Sequence, residues 1–455
     1  MEQQVTLAPG TLRGHVNSPG DADYDGARAV YNALIERRPA LIARVDGVDD
    51  VIATVNLARE HRLPLAVRGG SHSVAGFGTV DDGLVIDLSA MRAVEVDPGR
   101  RVARVQGGCT WGEFNEAAHS FGLATTGGVV STTGVGGLTL GGGMGYLARS
   151  FGLSCDNLLS AELVTATGER LTCSEEQNAD LFWALRGGGG NFGVVTSFEF
   201  RMHPVTDVLA GLIVFPLEGD VLRRYGDFVG GAPEELGLLL GLILAPPLPF
   251  VDEEWHGRPV AAVIVCWNGL SKEGEEVLAP IREWAPMVGR HIERMPYPAI
   301  NTIFDETLPP GLRHYWKGLF SRDLSDEAID AHLEFGARIP CPETATIFFP
   351  LDGATQRIDP DETAFAYRDA NYSVALGPSW PDAGDDEANI RWGRDYYEPL
   401  RPFGMGGGYV NFMSEDDGGR VAANYRQNLN RLTDIKKSYD PGNLFRLNQN
   451  IKPAS

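Results

Sequence analysis

The sequence is short of basic residues: 39 Lys and Arg stand against 61 Asp and Glu, and the formal net charge at pH 7 is −22. Proteins that bind nucleic acid or anionic membranes need cationic surfaces, so this composition argues against both partners. Long apolar runs are also missing. The longest candidate, Leu236 to Ala245, stops at Pro246 and falls short of the roughly 18 residues that a membrane-spanning helix needs.

Cysteine is scarce and dispersed. The five cysteines, at positions 109, 155, 173, 266 and 341, form no CxxC pair, which argues against a disulfide framework and against a zinc site. No metal is expected. The first residues show neither the basic nor the apolar region of a signal peptide. These features together predict a soluble, cytoplasmic protein with free thiols.

The length of 455 residues, 43% of them hydrophobic, predicts a globular protein of two domains. In the first part of the chain, apolar spacing predicts helices over residues 28–37 and 48–61 and alternation predicts strands over 65–67, 84–88 and 101–106.

The second part differs in character, because the glycine-rich runs disappear between residues 207 and 395. Apolar strands alternate there with amphipathic helices, which predicts an α+β domain with an antiparallel sheet and helices on one side. A long helix is predicted over 421–439, near the end of the chain.

One short strand, Leu65-Ala-Val, runs into a glycine-rich turn, Arg68-Gly-Gly-Ser-His-Ser73. Glycines allow the backbone to approach a ligand and to point its N–H groups inward, as in a nest for a pyrophosphate. Arg68 adds a cation, and His72 lies where a bound cofactor could reach it. An ordinary strand-to-loop turn with a surface histidine is the alternative that this stretch alone leaves open.

A second stretch, residues 125–145, interleaves glycine with large apolar side chains such as Val129, Leu138 and Met144. A flexible linker would be polar and would lack large side chains. An ordered segment that packs on a large flat ligand is therefore favoured.

A third stretch matches the G-x-G-x-x-G pattern at Gly188, Gly190 and Gly193. In the usual dinucleotide fold this pattern leaves a strand and opens a helix, whereas here a predicted helix precedes it and a predicted strand follows. The pattern therefore does not indicate a conventional dinucleotide fold. Near the terminus, Asn448 and Asn450 occupy alternate positions and are expected to hydrogen-bond to something buried.

Taken together, these segments resemble the berberine bridge enzyme-like flavoproteins of the vanillyl-alcohol-oxidase (p-cresol methylhydroxylase) superfamily, its bacterial members in particular. The resemblance runs in collinear order over almost the whole chain. The stretches that carry it are residues 68–73, 125–145, 152–157, 187–195, 409–412 and 439–451.

The resemblance implies an α+β fold, with a two-subdomain FAD-binding domain of the p-cresol methylhydroxylase type and an inserted antiparallel-sheet substrate domain. The implied division is a lead-in at 1–45, the FAD domain at 46–206, the substrate domain at 207–395 and a C-terminal return at 396–455. The cofactor is FAD, bonded covalently through its 8α-methyl group to His72. The implied cofactor-binding residues are His72, Arg68, Gly69, Gly70, Ser71, Ser73, Gly127, Val130, Thr133, Gly134, Gly137, Gly141, Gly142, Asn157, Gly193, Val195, Asn448 and Asn450.

Two departures from the family pattern matter. Doubly linked members carry a cysteine where this chain has Val130, so a single covalent link is expected. Members that act on sugars follow the Y-x-N motif with a tyrosine base, whereas this chain has Phe412. Removal of a hydride from an alcohol needs a base for the O–H proton, and removal from a neutral amine does not. Phenylalanine at position 412 therefore favours an amine-like or electron-rich substrate, or a catalytic base at another position of the chain.

The candidate catalytic residues are Tyr409, Asn411, Tyr315 and Lys317, with Tyr409 and Lys317 as the alternative bases. Alternation along a strand puts Tyr315 and Lys317 on one face, either over the flavin or on a half-exposed surface. Thr133 matches a position that controls dioxygen access in the family, and its small side chain predicts reoxidation by O2.

The leading hypothesis is a flavin-dependent oxidase that takes a hydride from a small organic molecule and reduces O2 to hydrogen peroxide. One alternative is an oxygenase or oxidative cyclase of secondary metabolism, and another is a flavin-carrying binding protein without activity. The substrate itself and the oligomeric state, monomer or homodimer, stay open at this point.

Overall fold

The helix Val48–His61 and the strands around it build the first sheet. In the computed structural model, which describes residues 12–454, this helix forms with the predicted bounds. Val51, Val55 and Ala58 lie on one face of it and are fully buried, as their spacing predicts. The four strands lie in the order His15–Asn17, Leu41–Arg44, Leu84–Asp87 and Leu65–Arg68, the first pairing antiparallel and the others parallel.

The helix predicted over residues 28–37 is wrong. A short helix, Tyr24–Arg28, ends where the predicted one begins, and the chain that follows is irregular. The side chain of Asn32 explains the difference: its Nδ2 donates to the carbonyls of Val74 at 2.8 Å and His314 at 2.9 Å. Its Oδ1 accepts from the His314 N–H at 2.8 Å. These tertiary hydrogen bonds override the local helical pattern.

A second sheet is antiparallel throughout, and helices pack against one of its faces. The helix Trp111–His119 begins at a capping box, in which Thr110 Oγ1 accepts from the Glu113 N–H and the Glu113 carboxylate accepts from the Thr110 N–H. The helix Ala179–Leu185 joins the same buried cluster. The strands lie in the order Val94–Asp97, Val102–Gln106, Val194–Arg201, Leu158–Val164 and Arg170–Ser174.

The third sheet has seven strands, and each recorded pairing in it is antiparallel. Its strand Leu236–Leu244 holds the longest apolar run and is buried over most of its length, which explains why that run is apolar at nearly every position. The strands lie in the order Gly289–Pro296, Asp207–Pro216, Pro259–Trp267, Leu236–Leu244, Ala345–Pro350, Tyr372–Gly377 and Lys317–Ser321.

Helices cover one face of this third sheet, and the glycine-rich segment 125–145 covers part of the other. The covering helices are Gly219–Val229, Asp326–Gly336 and Asp386–Leu400. On the opposite face, Met144 and Tyr146 share a buried cluster with Ile264 and Cys266 of the sheet. The α+β fold class and the antiparallel sheet are confirmed.

The helix predicted over 421–439 is interrupted. It forms as Val421–Tyr425 and Leu429–Tyr439, and between them Arg426 adopts a φ of +46°. Asn428 anchors the break, since its Nδ2 donates to the carbonyl of Pro360 at 3.0 Å. The remaining α-helices within residues 12–454 are Val135–Leu140, Ala148–Phe151, Ser271–Leu278 and Tyr297–Ile300. Two small antiparallel pairs join Leu123–Ala124 to His203–Pro204 and Arg313–His314 to Ser379–Trp380. Within residues 12–454 no helix is both long enough and apolar enough to cross a membrane.

Candidate active site

The turn after Leu65–Arg68 presents a row of free backbone donors. Ser71 adopts a φ of +64° there, a left-handed conformation that is uncommon for a residue with a side chain. The N–H groups of Gly70, Ser71 and His72 donate no hydrogen bond to any residue of the described chain. Successive free N–H groups in such a turn attract an anion, so the turn fits a pyrophosphate.

The Arg68 side chain does not belong to this anion site. Its side chain is 4% exposed, and its guanidinium pairs with the Asp87 carboxylate at 2.8 Å, because the parallel register sets Arg68 beside Asp87 on the neighbouring strand. The remaining bonds go to the carbonyls of Ala27 at 2.7 Å and Ala29 at 3.2 Å. Its charge is committed to the protein, which corrects the expectation that it faces a bound pyrophosphate.

His72 is held by two hydroxyls and one ring. Its Nε2 lies 2.8 Å from Thr132 Oγ1, and its Nδ1 lies 3.5 Å from Thr133 Oγ1. The ring stacks on Tyr31 with 3.8 Å between centroids and 19° between planes. Burial, with a smaller contribution from His314, lowers the pKa of His72 to about 3. The imidazole is therefore neutral at pH 7, and one of its ring nitrogens carries a lone pair.

The glycines of residues 125–145 serve two purposes. A Cβ on Gly134 would collide with the Gly70 backbone, so this pair lets the two glycine-rich stretches touch. Gly141 and Gly142 leave room for Asn411 and for aromatic rings. Gly137 differs, because a Cβ there would meet nothing within 4 Å. The space over Gly137 is therefore available to a ligand, whereas a Cβ at position 127, 134, 141, 142, 143 or 145 would lie within 3.0 Å of other protein atoms.

Several other expected cofactor residues are engaged inside the protein. Asn157 donates from Nδ2 to two backbone carbonyls at 2.9 Å, and its Oδ1 lies 2.7 Å from His203 Nε2, so its amide has no free group for a cofactor. Gly127 leaves room for the Trp111 ring, and Gly193 for the neighbouring strand. Val195 is buried in the core of the second sheet. The Ser73 hydroxyl accepts from the Phe77 N–H at 3.1 Å.

The asparagines near the terminus are not satisfied by the protein. The Oδ1 atoms of Asn448 and Asn450 are buried, and neither has a hydrogen-bond partner in the part of the chain that the structure describes. Asn448 Nδ2 donates to the Gly190 carbonyl at 3.2 Å, and the space over Gly190 is open to 4 Å. Buried acceptors without donors are costly. A ligand with N–H and O–H groups would satisfy them, and FAD has both.

Tyr409 and Asn411 form one hydrogen-bonded pair. Asn411 Nδ2 donates to the Tyr409 hydroxyl at 2.8 Å, and the Gly143 N–H donates to the same oxygen at 2.9 Å. Tyr409 is 1% exposed, and burial raises its pKa well above the ordinary value. Phe412 packs edge-on against Tyr409 and Trp316. This part of the site is an aromatic wall whose only hydroxyl stays protonated at neutral pH.

Tyr315 lies between the strands Arg313–His314 and Lys317–Ser321, so strand alternation does not apply to it, and it meets Lys317 in an ion-pair cluster. Lys317 Nζ lies 2.8 Å from Asp416 Oδ1 and 2.9 Å from Asp417 Oδ1, and the Tyr315 hydroxyl donates to Asp416 Oδ2 at 2.8 Å. Burial opposes the charge of Lys317, but the bonds to the two aspartates outweigh it and hold its pKa above the ordinary value. The ammonium is charged at neutral pH, so Lys317 cannot accept a proton.

Four residues in this region were not predicted from the sequence: Tyr31, Thr132, Asp305 and His314. Asp305 accepts from Ser131, from the N–H at 3.1 Å and from the hydroxyl at 2.5 Å. His314 stacks on Tyr31 with 5.0 Å between centroids. These side chains come from distant parts of the chain and carry no local motif. Among the residues described, no group of His, Cys, Asp or Glu is arranged to hold a metal ion.

Comparison with known proteins adds independent information. The FAD binding domain model matches residues 39–174, and the model named berberine and berberine like matches 408–452. An FAD-linked oxidoreductase of Dictyostelium discoideum is 31% identical over 97% of this chain and 95% of its own. (R)-6-hydroxynicotine oxidase of Paenarthrobacter nicotinovorans is 30% identical over 98% of both chains. The crystal structure of 6-hydroxy-D-nicotine oxidase from Arthrobacter nicotinovorans superposes with a TM-score of 0.88 at 28% identity, covering 99% of this chain and all of that one.

Proposed function

The chain belongs to the berberine bridge enzyme-like family of FAD-dependent oxidoreductases, and on that premise we propose that it is an oxidase with FAD bonded to His72. It removes a hydride from a small organic substrate, and dioxygen takes the electrons to give hydrogen peroxide. The observation that carries this proposal is the neutral His72 imidazole beside a turn of free N–H donors.

The residues fit FAD at three places. The N–H groups of residues 70–72 suit the pyrophosphate. A Cβ on Gly137 or Gly190 would meet nothing within 4 Å, so the backbone is open to a ligand there. The unpaired Oδ1 atoms of Asn448 and Asn450 accept from the cofactor's N–H or O–H groups. When bound, FAD accepts the hydride and passes its electrons to dioxygen, while the protein supplies binding and orientation.

His72 is suited to be the point of attachment because it is a neutral nucleophile. A protonated imidazole has no lone pair, and burial keeps this ring unprotonated down to a pH of about 3. The residue at the position of the second link is Val130, which has no nucleophilic atom. All five cysteines are free thiols, and burial raises the pKa of Cys109 to about 12. A single link through His72 is the result.

The substrate class follows from the lack of a base at the aromatic wall. Phe412 has no ionisable group, Tyr409 stays protonated and accepts two hydrogen bonds, and Lys317 is already charged. An alcohol would need its O–H proton removed during hydride loss. A neutral amine needs no such step. We therefore propose an amine or another electron-rich, largely apolar substrate.

The covalent link is tested by acid precipitation of the purified holoenzyme. Yellow flavin should stay with the pellet for the natural protein and for His291→Ala, a control histidine whose side chain is 48% exposed. His72→Ala should release it. A colourless pellet from the natural protein would contradict the proposal.

Activity is tested by screening amines and alcohols for anaerobic bleaching of the flavin and for peroxide in air. Amines should bleach it and yield peroxide. Incorporation of oxygen from labelled dioxygen into the product would identify an oxygenase instead. Flavin that no substrate reduces would favour a binding protein.

A further inference from the structure

Three aromatic rings from separate parts of the chain form one stack around the proposed attachment point. Tyr31 lies between His72, at 3.8 Å between centroids, and His314, at 5.0 Å, with planes inclined by 19° and 9°. His314 is fixed in turn by its Nδ1, which lies 2.8 Å from Ser379 Oγ. The stack therefore sets the plane of the His72 ring from one side.

Tyr31 is itself anchored at every polar group. Its hydroxyl donates to the Leu308 carbonyl at 2.6 Å, its N–H donates to the Ser71 carbonyl at 3.3 Å, and its carbonyl accepts from the Gly311 N–H at 3.2 Å. The bond to Ser71 joins Tyr31 to the residue before His72. This bond therefore fixes the position of the Tyr31 ring relative to the turn that carries His72.

Thr132 fixes the rotation of the His72 ring within that plane. Its Oγ1 lies 2.8 Å from Nε2, whereas Thr133 Oγ1 lies 3.5 Å from Nδ1. A neutral imidazole has one N–H and one lone pair. The Thr132 hydroxyl can donate or accept, and in the tautomer in which Nε2–H donates to it the lone pair is on Nδ1. The Thr132 side chain is otherwise exposed, so it serves no evident packing purpose.

We propose that Tyr31 and Thr132 are positioning residues for covalent attachment of FAD, and that they present His72 Nδ1 to the 8α-methyl group. This inference rests on the proposed function. A new N–C bond needs the lone pair directed at the carbon, so a ring free to flip or tilt would react more slowly.

Covalent attachment forms one bond and breaks two. The Nδ1–C bond forms, while one methyl C–H bond and the Nε2–H bond are lost. The two electrons and two hydrogens reduce the isoalloxazine, and dioxygen then restores the oxidised ring and leaves as hydrogen peroxide. Thr132 holds the proton of Nε2 at the start of this step, and the product imidazole is again neutral.

Matched variants separate positioning from mere stability. Thr132→Val removes the hydroxyl and keeps the shape, whereas Thr132→Ser keeps the hydroxyl. Tyr31→Leu removes the stacked ring, whereas Tyr31→Phe keeps it. Apoprotein from riboflavin-limited cells is mixed with FAD, and total and acid-stable flavin are followed with time, together with the melting temperature.

Thr132→Val and Tyr31→Leu should bind FAD yet attach it about tenfold or more slowly, while Thr132→Ser and Tyr31→Phe should attach it at nearly the natural rate. Equal rates in all four variants would overturn the inference. Should Tyr31→Leu fail to fold, the Thr132 pair decides, because that side chain is exposed. Acid-stable flavin in His72→Ala would instead overturn the link itself, which is the failure of the proposed function.

Discussion

The ammonium of Lys317 and the carboxylate of Asp417 form a buried ion pair, with 2.9 Å between Nζ and Oδ1 and side-chain exposures of 8% and 4%. Asp416, which is 38% exposed, is the second partner of the same ammonium. The pair joins the strand Lys317–Ser321 to the segment that follows the Y-x-N motif. Because the pair is buried and joins two segments of the chain, its role is structural.

Replacement of Lys317 by Met should therefore lower stability and leave the chemistry in place. Removing one member of a buried pair leaves an uncompensated charge, which costs about 3–5 kcal/mol. Urea unfolding should show this loss, and the double variant Lys317→Met/Asp417→Asn should recover part of it. The pH profile of flavin reduction should not change. A lost ionisation in that profile with unchanged stability would restore Lys317 as the base.

Tyr409→Phe gives the corresponding test for the phenol. The variant leaves the Gly143 N–H without its acceptor and Asn411 Nδ2 with only the carbonyls of Gly137 and Leu138 at 3.4 Å, and a buried unsatisfied donor costs about 1–3 kcal/mol. We expect lower stability and a reduction rate within about tenfold of the natural enzyme. A loss of several orders of magnitude, with a changed pH profile in stopped-flow reduction, would assign the proton transfer to Tyr409.

Reaction with dioxygen should depend on the size of residue 133. Thr133 is half-buried and its hydroxyl lies 3.5 Å from His72 Nδ1. Thr133→Leu should slow reoxidation by O2 by about tenfold or more, whereas reoxidation by an artificial acceptor should be little affected. Thr133→Val, of nearly the same size as the natural residue, is the matched control. Slow reoxidation of the natural enzyme by O2 would show that it is not an oxidase.

Stability should fall in mild acid because of buried histidines. His332 is 2% exposed, its Nδ1 lies 2.7 Å from the Tyr396 hydroxyl, and burial lowers its pKa to about 3. The unfolded chain binds this proton below a pH of about 6.5, whereas the folded protein does not until about 3. Between these values each pH unit removes about 1.4 kcal/mol from the free energy of unfolding.

Unfolding of the natural protein by urea between pH 7 and 5 measures this dependence. At pH 5 the His332→Gln variant should bind about one proton fewer on unfolding than the natural protein, so its free energy of unfolding should fall less steeply as the pH falls. An unchanged slope in the His332 variant would show that this histidine is protonated in the folded protein.

The sequence alone predicts those parts of the fold that rest on local pattern. Helix Val48–His61 has its apolar residues on one face and acidic residues in its first turn, so spacing and dipole agree. The strands Pro259–Trp267 and Tyr372–Gly377 are apolar enough to be recognised without a neighbour. Where hydrogen bonds to a distant residue determine the backbone conformation, the local apolar pattern gives a wrong prediction. Asn32 holds the chain out of a helix by bonding to His314, 282 residues away.

Some residues of the candidate site are likewise predictable from a local pattern, and others depend on distant contacts. The turn with His72 is predictable because glycines and histidine share one short stretch. The roles of Thr132 and Tyr31 are not predictable, because they depend on which side chains the fold places against His72. Arg68 shows the opposite error: its residue type suits an anion, but the parallel register commits it to Asp87. Residue type and sequence spacing indicate which interactions a side chain is able to make, whereas the strand pairing determines which partner it contacts.

The contacts of Asn191 bear on how the protein is made. Its carbonyl accepts from Lys436 Nζ at 2.6 Å, its Oδ1 accepts from the Ile451 N–H at 2.9 Å, and its Nδ2 donates to the Gln449 carbonyl at 3.3 Å. These partners follow Asn191 by about 245 to 260 residues. At a translation rate of roughly 5–20 residues per second, the loop waits many seconds for them. These bonds can therefore form only after residues 436–451 have left the ribosome, so the loop around Asn191 completes its hydrogen bonds late, long after its own glycines have been made.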